Sequence, residues 1–335
     1  MLAGVVLGFV WFGRRGMVTD GVAGGNSGGP ADVGTAAKRN GWQVRIGANP
    51  IIWSNDDFVD LGADIPLERC LAEMHAAGYA GSELGHKFPR TPDTLVPLLR
   101  RFDLQLVSGW HSAYLLDSSF AEEERRFAEH VDFLARMGCK VVIVAECSRR
   151  IYQDPDQPLQ FKNRAKLLRD AEWVRLAIGF VALAQMAGHR GLHLVYHPHM
   201  GTVIQDAHEI NRLMAMTRHV QLLVDTGHLL FADVNPLHIL KEHHRRVGHV
   251  HLKNVRAEVV LRARAEKHSF AKAVRAGVFT VPGDGGYDFA PVLDLLRQSS
   301  YEGWLVVEAE QDPRRSPPLH NARLGRETVL QLAGV

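Results

Sequence analysis

Two histidines one residue apart, His197 and His199 in "LVYHPHMGT", close a short apolar run, and other apolar runs of this chain end in residues of the same kind. One ends in Glu146, one in Asp225 followed by His228, one in His251 and Lys253, and the last in Glu308. Carboxylates and imidazoles converging from separate segments suit a divalent cation such as Mn²⁺ or Co²⁺, softer than an all-oxygen magnesium site and without the thiolates of structural zinc. Earlier runs carry a different set: Asn49, Trp53 and Asn55, then Glu83, His86 and Lys87, then Trp110 and His111. Amides and charged donors satisfy sugar hydroxyls, and indole faces cover C–H surface, so these residues read as substrate-handling groups.

Each residue also has a structural explanation. Asp225 in "DTGH" could cap the helix that follows it. His249 and His251 alternate in "GHVHLK" and so face one side of a strand, where only the one nearer the strand end reaches a site at that end. Glu308 and Glu310 likewise share a face, and a glutamate buried in "WLVVEAE" is costly unless a cation pairs with it. Trp53 and Trp110 could equally plug the core. Cys147, beside Glu146, lacks a local activating pattern and reads as a core thiol.

The elements that must position these groups recur with one rhythm. From Gln43 onward, eight apolar or β-branched runs appear: "QVRIGANP", "GSELGHKF", "LQLVSGWHS", "CKVVIVAEC", "LHLVYHPH", "VQLLVDTGH", "GHVHLKN" and "WLVVEAEQ". Between them lie stretches with apolar residues at i, i+3 and i+4, the pattern of crossover helices. Strict alternation implies parallel strands in right-handed βαβ units, and eight units predict an α/β fold, a closed (β/α)8 TIM barrel, over residues 42–335. An open doubly wound sheet is disfavoured, because no Gly-rich dinucleotide fingerprint follows the first run. In a barrel, the catalytic groups project from the C-terminal ends of the strands, which is where the runs place Glu146, His197, His199, Asp225, His251, Lys253 and Glu308. A basic helical insertion at about 255–281, after the seventh run, is placed to cap the barrel mouth.

Bulk properties narrow the partners. The formal net charge of the 335 residues is +2, with no like-charge block to follow a phosphate backbone, so nucleic acid is excluded as an expected partner. Three cysteines, Cys70, Cys139 and Cys147, lie in apolar segments without zinc-type spacing, which fits a reducing cytoplasm. Residues 1–41 begin with an apolar run followed by Arg14 and Arg15, a poor signal peptide and shorter than the roughly 20 residues that span a bilayer. The Gly- and Ala-rich stretch after it reads as a disordered extension, with a start at Met17 or a membrane anchor as the alternatives. No membrane association is expected, and self-association stays open.

The motifs "GANPIIWSNDD", "GSELGHKFPR", "VSGWHS", "AECS", "YHPHMGT", "LLVDTGHLLFA", "GHVHLKNVR", "GVFTVPGDG" and "GWLVVEAEQDP" together resemble the inosose dehydratases of the xylose-isomerase-like TIM barrel superfamily. The resemblance implies a Mn²⁺- or Co²⁺-dependent lyase that removes water from 2-keto-myo-inositol in inositol catabolism. It maps metal ligands onto Asp225, His251 and Glu308. Many relatives carry a glutamate at the end of the fifth strand, where this chain has His197, so Glu146 is taken as the fourth ligand with His197 in reserve. "YHHHMGT" is the usual form of the fifth motif, and Pro198 replaces its middle histidine. His197 and His199 are the expected acid/base pair. Lys253 joins them in the catalytic set and, with His228, holds substrate oxygens, while Asn49, Trp53, Glu83, His86 and Trp110 bind the substrate. The rival activities are a keto-sugar isomerase or epimerase on the same barrel, a metal-dependent endonuclease, and a non-catalytic sugar-binding protein.

Overall fold

A computed structural model describes residues 41–161, 164 and 167–335. The extension expected over residues 1–41 lies, but for Gly41, outside the described residues. All eight runs form strands. In chain order these are β1 (Val44–Ala48), β2 (Gly81–Leu84), β3 (Gln105–Ala113), β4 (Val141–Glu146), β5 (His193–Tyr196), β6 (Gln221–Asp225) and β7 (Val247–Leu252), then the short β8 (Asn254–Val255) and β9 (Phe279–Thr280), and β10 (Gly303–Val307). The barrel closes in the order β1-β10-β7-β6-β5-β4-β3-β2, and every pair in it is parallel.

The helices α1 (Leu67–Ala77), α2 (Pro92–Arg100), α3 (Phe120–Arg136), α4 (Asp170–Gly188), α5 (Ala207–Met216), α6 (Thr226–Phe231), α7 (Pro236–His243), α10 (Ala290–Gln298) and α11 (Pro318–Ala333) follow the barrel strands. Their ends are encoded locally. Ser119 and Glu122 form a capping box at α3, Asp206 and Glu209 one at α5, and Gly78 closes α1 at φ 85°; each such cap contributes about 1 kcal/mol. None of the described helices is long and apolar enough to cross a membrane.

The strand period of two divides the core. Val142 and Val144 of β4, Leu194 and Tyr196 of β5, and Leu222 and Val224 of β6 pack outward under the helices. Val141, Ile143, Val195 and Leu223 point inward and fill the barrel interior. Continued to the strand ends, that parity turns His197, Asp225 and His251 inward. It turns Glu146, two residues beyond Val144, toward the helices.

Past β7 the chain makes the excursion that the sequence marks. β8 and β9 pair antiparallel at its base, and α8 (Ala257–Ala265) and α9 (Phe270–Arg275) lie between them. Its apolar side joins Phe58, Tyr152, Met200 and Phe231 in a second hydrophobic cluster beside the C-terminal strand ends.

Candidate active site

A pocket of about 590 Å³, open solvent at its mouth included, lies over the C-terminal strand ends, with His197, His199, His251, Glu308 and Glu310 among its lining residues. Each of these side chains is at least nine-tenths buried. Asp225 lies beneath the floor and divides its two oxygens. Oδ1 accepts from the His228 amide at 2.9 Å and caps α6, while Oδ2 stands 3.4 Å from both His197 Nε2 and His251 Nδ1. The capping explanation of Asp225 therefore holds for Oδ1, and Oδ2 stays turned toward the two imidazoles.

Ring partners orient the lone pairs. His197 Nδ1 donates to the Pro198 carbonyl at 2.9 Å, which leaves Nε2 as the unprotonated nitrogen facing Asp225. His251 Nε2 donates to Glu83 Oε1 at 3.1 Å, so Nδ1 is the nitrogen turned toward Asp225 and toward Glu308 Oε2, 2.8 Å away. Asp225 Oδ2 and His251 Nδ1 are both buried without a hydrogen-bond partner. Carboxylates buried this closely need positive charge among them: the Lys253 ammonium supplies part of it, and although burial opposes the charge, the Glu308 and Glu83 carboxylates hold the His251 pKa well above the usual imidazole range, so a divalent cation would find an electrostatically favourable place here. Asp225, His251 and Glu308 form a group with ligand spacing, and the donor set matches a divalent metal. His197 shares Asp225 with that group, in a second one that includes His228.

Glu146 does not take part. It is fully buried on the helix side of β4, accepts from the backbone amides of Leu115 at 3.1 Å and Ser148 at 3.0 Å, and shares no ligand-spaced group with the other three. Burial pushes its carboxyl up to about 7. The expectation of a Glu146 ligand is thus corrected, because β-strand parity aims it away from the mouth.

Lys253 is fully buried, its ammonium 3.2 Å from Asp225 Oδ2, 2.5 Å from Glu308 Oε1 and 2.7 Å from Glu310 Oε2. Burial alone would lower its pKa, but the Asp225, Glu308 and Glu310 carboxylates outweigh it and hold the charge. "DTGH" provides for this residue locally. Thr226 Oγ1 donates to the Lys253 carbonyl and accepts from its amide, and a Cβ on Gly227 would lie 2.5 Å from Lys253 Cγ. Lys253 contributes charge beneath the pocket floor and does not line it.

His199 Nδ1 donates to the Met200 carbonyl at 2.8 Å, so its Nε2 carries a free lone pair, 3.7 Å from Glu310 Oε1. His228 has the opposite tautomer: Nδ1 accepts from the Met200 amide, and Nε2–H faces Glu310 Oε1 at 3.3 Å. That tautomer cannot ligate a metal through Nε2. Burial lowers the His228 pKa to about 3, which keeps the ring neutral. The insertion supplies the apolar backing, with the Phe270 ring 5.4 Å from His199 and the Phe279 ring 5.2 Å from His228.

The early strands behave differently from expectation. Trp110 lines the pocket, 5.5 Å from the His197 ring and 5.8 Å from that of His199, but its N–H is taken by Ser112 Oγ. Trp53 is fully buried in the main core and donates to Glu73 Oε2 on α1 at 2.7 Å, so it is packing and not substrate surface. His86 is an exposed residue paired to Asp56 and does not line this pocket. Asn49 and Glu83 do line it, yet they bond to each other at 2.7 Å and to groups of the floor. Cys147 is a buried thiol pushed up to about 11 by burial.

Residues outside the expected set also line the pocket. Glu310 sits on the face it shares with Glu308, a signal visible in the strand period, and Asp57 comes from the loop after β1, where no pattern marks it.

Pro198 is benign. The last ladder bond of β5 runs from the His197 amide to the Val144 carbonyl at 2.8 Å, so the missing N–H of the next residue interrupts nothing.

A closed barrel with carboxylates and imidazoles gathered at the ends of its late strands defines a class of protein, and the chain belongs to the xylose isomerase-like TIM barrel family, whose profile matches residues 71–331. The curated relatives are more particular. Inosose dehydratase of Geobacillus thermodenitrificans (strain NG80-2) is 44% identical over 295 residues, 88% of this chain and 98% of the relative. Inosose dehydratase of Clostridium botulinum (strain Alaska E43 / Type E3) is 43% identical over 298 residues, 88% of this chain and 99% of the relative. Among solved structures, an L-ribulose 3-epimerase superposes with a TM-score of 0.60 at 15% identity, over 87% of this chain and 95% of that one. The IOLI protein with a binding zinc atom superposes with a TM-score of 0.60 at 11% identity, over 87% of this chain and 98% of that one. At such identities the two structures share the fold, and the resemblance read from the motifs is carried by the relatives.

Proposed function

We propose that this chain is a hydro-lyase that removes water from 2-keto-myo-inositol, and that it works in the cytoplasm with Mn²⁺ or Co²⁺. The observation that carries the reading is the convergence of Asp225 Oδ2, His251 Nδ1 and Glu308 at ligand spacing under the pocket, the first two buried and without a well-formed hydrogen bond. Relatives at 43–44% identity over nearly their whole length, named inosose dehydratase, support the substrate. His197, Asp225, His251 and Glu308 are the residues that would hold the metal. When bound there, a divalent cation supplies Lewis-acid charge that stabilises negative charge developing on a substrate carbonyl oxygen.

The chain's own groups do the remaining work. His199 Nε2, unprotonated and open to the pocket, takes the proton from the carbon beside the carbonyl. His197 is the weaker candidate for that role, because its lone pair already faces Asp225. The protonated His199 then gives that proton to the departing β-hydroxyl, while Glu310 and the Lys253 ammonium bonded to it fix the charge beneath the floor, so that water leaves and the resulting enol tautomerises to a 1,2-dione. Trp110, Leu84 and Ile143 give the polyol ring an apolar wall, and Phe270 keeps water from the back of His199.

Elemental analysis of the purified chain, with an assay on 2-keto-myo-inositol in the presence and absence of chelator, tests the proposal. The expected result is a bound divalent metal, release of water, a new dione absorbance, and loss of turnover on chelation. Turnover that ignores chelators in metal-free protein, or an epimerised keto sugar in place of a dione, would overturn it.

A further inference from the structure

Asn49 and Glu83, at the ends of β1 and β2, are tied to two of the proposed ligands; Glu83 also stands at ligand spacing from His249 and His251, where their Nε2–H groups already donate to it. Glu83 is 2% exposed and accepts four hydrogen bonds: at Oε1 from Ser108 Oγ at 2.7 Å, His249 Nε2 at 2.8 Å and His251 Nε2 at 3.1 Å, and at Oε2 from Asn49 Nδ2 at 2.7 Å. Oε1 is therefore fully taken up by three protein donors and Oε2 is held by Asn49, so the hydrogen bonding of Glu83 is directed to neighbouring side chains. Asn49 is equally constrained. Its Oδ1 accepts from the Ile51 amide at 2.9 Å, which fixes the amide orientation and turns Nδ2 toward both Glu83 Oε2 and Glu308 Oε2, the latter 2.9 Å away.

We propose that Glu83 and Asn49 are positioning residues that aim the metal ligands His251 and Glu308, Glu83 by holding His251 Nε2 so that Nδ1 faces the metal, and Asn49 by fixing the Glu308 carboxylate. The proposal rests on the metal reading given above. Ligating histidines commonly donate their other nitrogen to a carboxylate, which sets ring orientation and raises ligand basicity. The shared partner adds something beyond a single such pair: one carboxylate and one amide link His251 of β7 and Glu308 after β10 into a unit, so that displacing Glu83 disturbs both.

The test uses the full chain as wild type, Glu83→Gln and Asn49→Ser. Three measurements are made: Co²⁺ affinity by competition with a chelating indicator, the visible d–d spectrum of the Co²⁺ form, and the thermal melt of the metal-free protein. Glu83→Gln is expected to weaken Co²⁺ binding about 10- to 100-fold and to move the d–d bands, while the metal-free melt stays near wild type. Asn49→Ser, which can keep the cap at Ile51 but loses the bridge, shifts both in the same direction by a smaller amount. Affinities within about threefold of wild type with superimposable spectra in both variants would overturn the proposal, whatever happens to the melt. If Glu83→Gln does not fold, Asn49→Ser decides by the same criterion. Absence of Co²⁺ binding by the wild type is a separate outcome: it defeats the metal reading itself, and this proposal with it.

Discussion

Glu146 and Glu308 are both glutamates at the end of an apolar barrel strand, and both are almost wholly buried, but they serve opposite ends. Glu146 lies outward of β4 with two backbone amides on its oxygens. Glu308 lies inward past β10, where its neighbours are His251, Lys253 and Asn49. The contrast extends to whole regions. Asn49, Glu83 and Glu146, at the ends of β1, β2 and β4, spend their hydrogen bonds on other groups of the protein, whereas the side chains after β5, β6, β7 and β10 aim atoms at one place. Residue type and strand-end position mark a candidate, and the fate of its lone pairs separates a working group from a supporting one.

The contrast breaks most sharply at the ligands. Asp225→Asn and Glu308→Gln are expected to lower kcat/KM by about 10³-fold or more and to strip the metal, as measured by turnover and elemental analysis, while Glu146→Gln stays within about threefold. A loss at Glu146 equal to that at Glu308 would erase the distinction. Next in size, His199→Gln should cost about 10²–10⁴-fold in kcat with metal content unchanged, whereas His197→Gln should lower metal content as well.

A third test concerns stability. Burial raises the Glu146 carboxyl to about 7 in the folded chain, above the roughly 4.3 of an unfolded glutamate. The folded state therefore holds this proton more tightly, and the contribution is fully present below about pH 4 and disappears as pH rises through 7. Wild type should lose on the order of 2–3 kcal/mol relative to Glu146→Gln between pH 4 and pH 8 in denaturant melts. Parallel curves for the two proteins would contradict the assignment. The smallest effect is expected at Trp53→Phe, which removes one hydrogen bond to Glu73 and about 1 kcal/mol of stability while leaving KM unchanged. A tenfold rise in KM there would return Trp53 to the substrate surface.

Much of this was legible in the letters, because a parallel barrel writes its strands as apolar runs and its catalytic groups at their ends. Asp225, His251 and Glu308 were marked by strand-end position among several such residues, and the family resemblance singled them out. Glu146 was open to the same arithmetic, since it has the parity of Val142 and Val144, but a carboxylate at a strand end is conspicuous and its direction is not. Trp53 and His86 could not be sorted from sequence. Their partners, Glu73 on α1 and Asp56 in a loop, are local accidents of packing. Glu83 presents the harder limit. Its role depends on Ser108, His249, His251 and Asn49 from four other positions in the chain, and no one-dimensional pattern joins them.

Asp225 gives one oxygen to the start of α6 before it gives the other to the pocket floor. Folding therefore fixes the rotamer of that carboxylate, and its torsional entropy is lost when the helix forms, before any ion would arrive. An alanine there would remove the helix cap and the ligand together. Asparagine can keep the cap and removes only the charge, so the pair of substitutions separates what the barrel needs to stand from what the floor needs to bind.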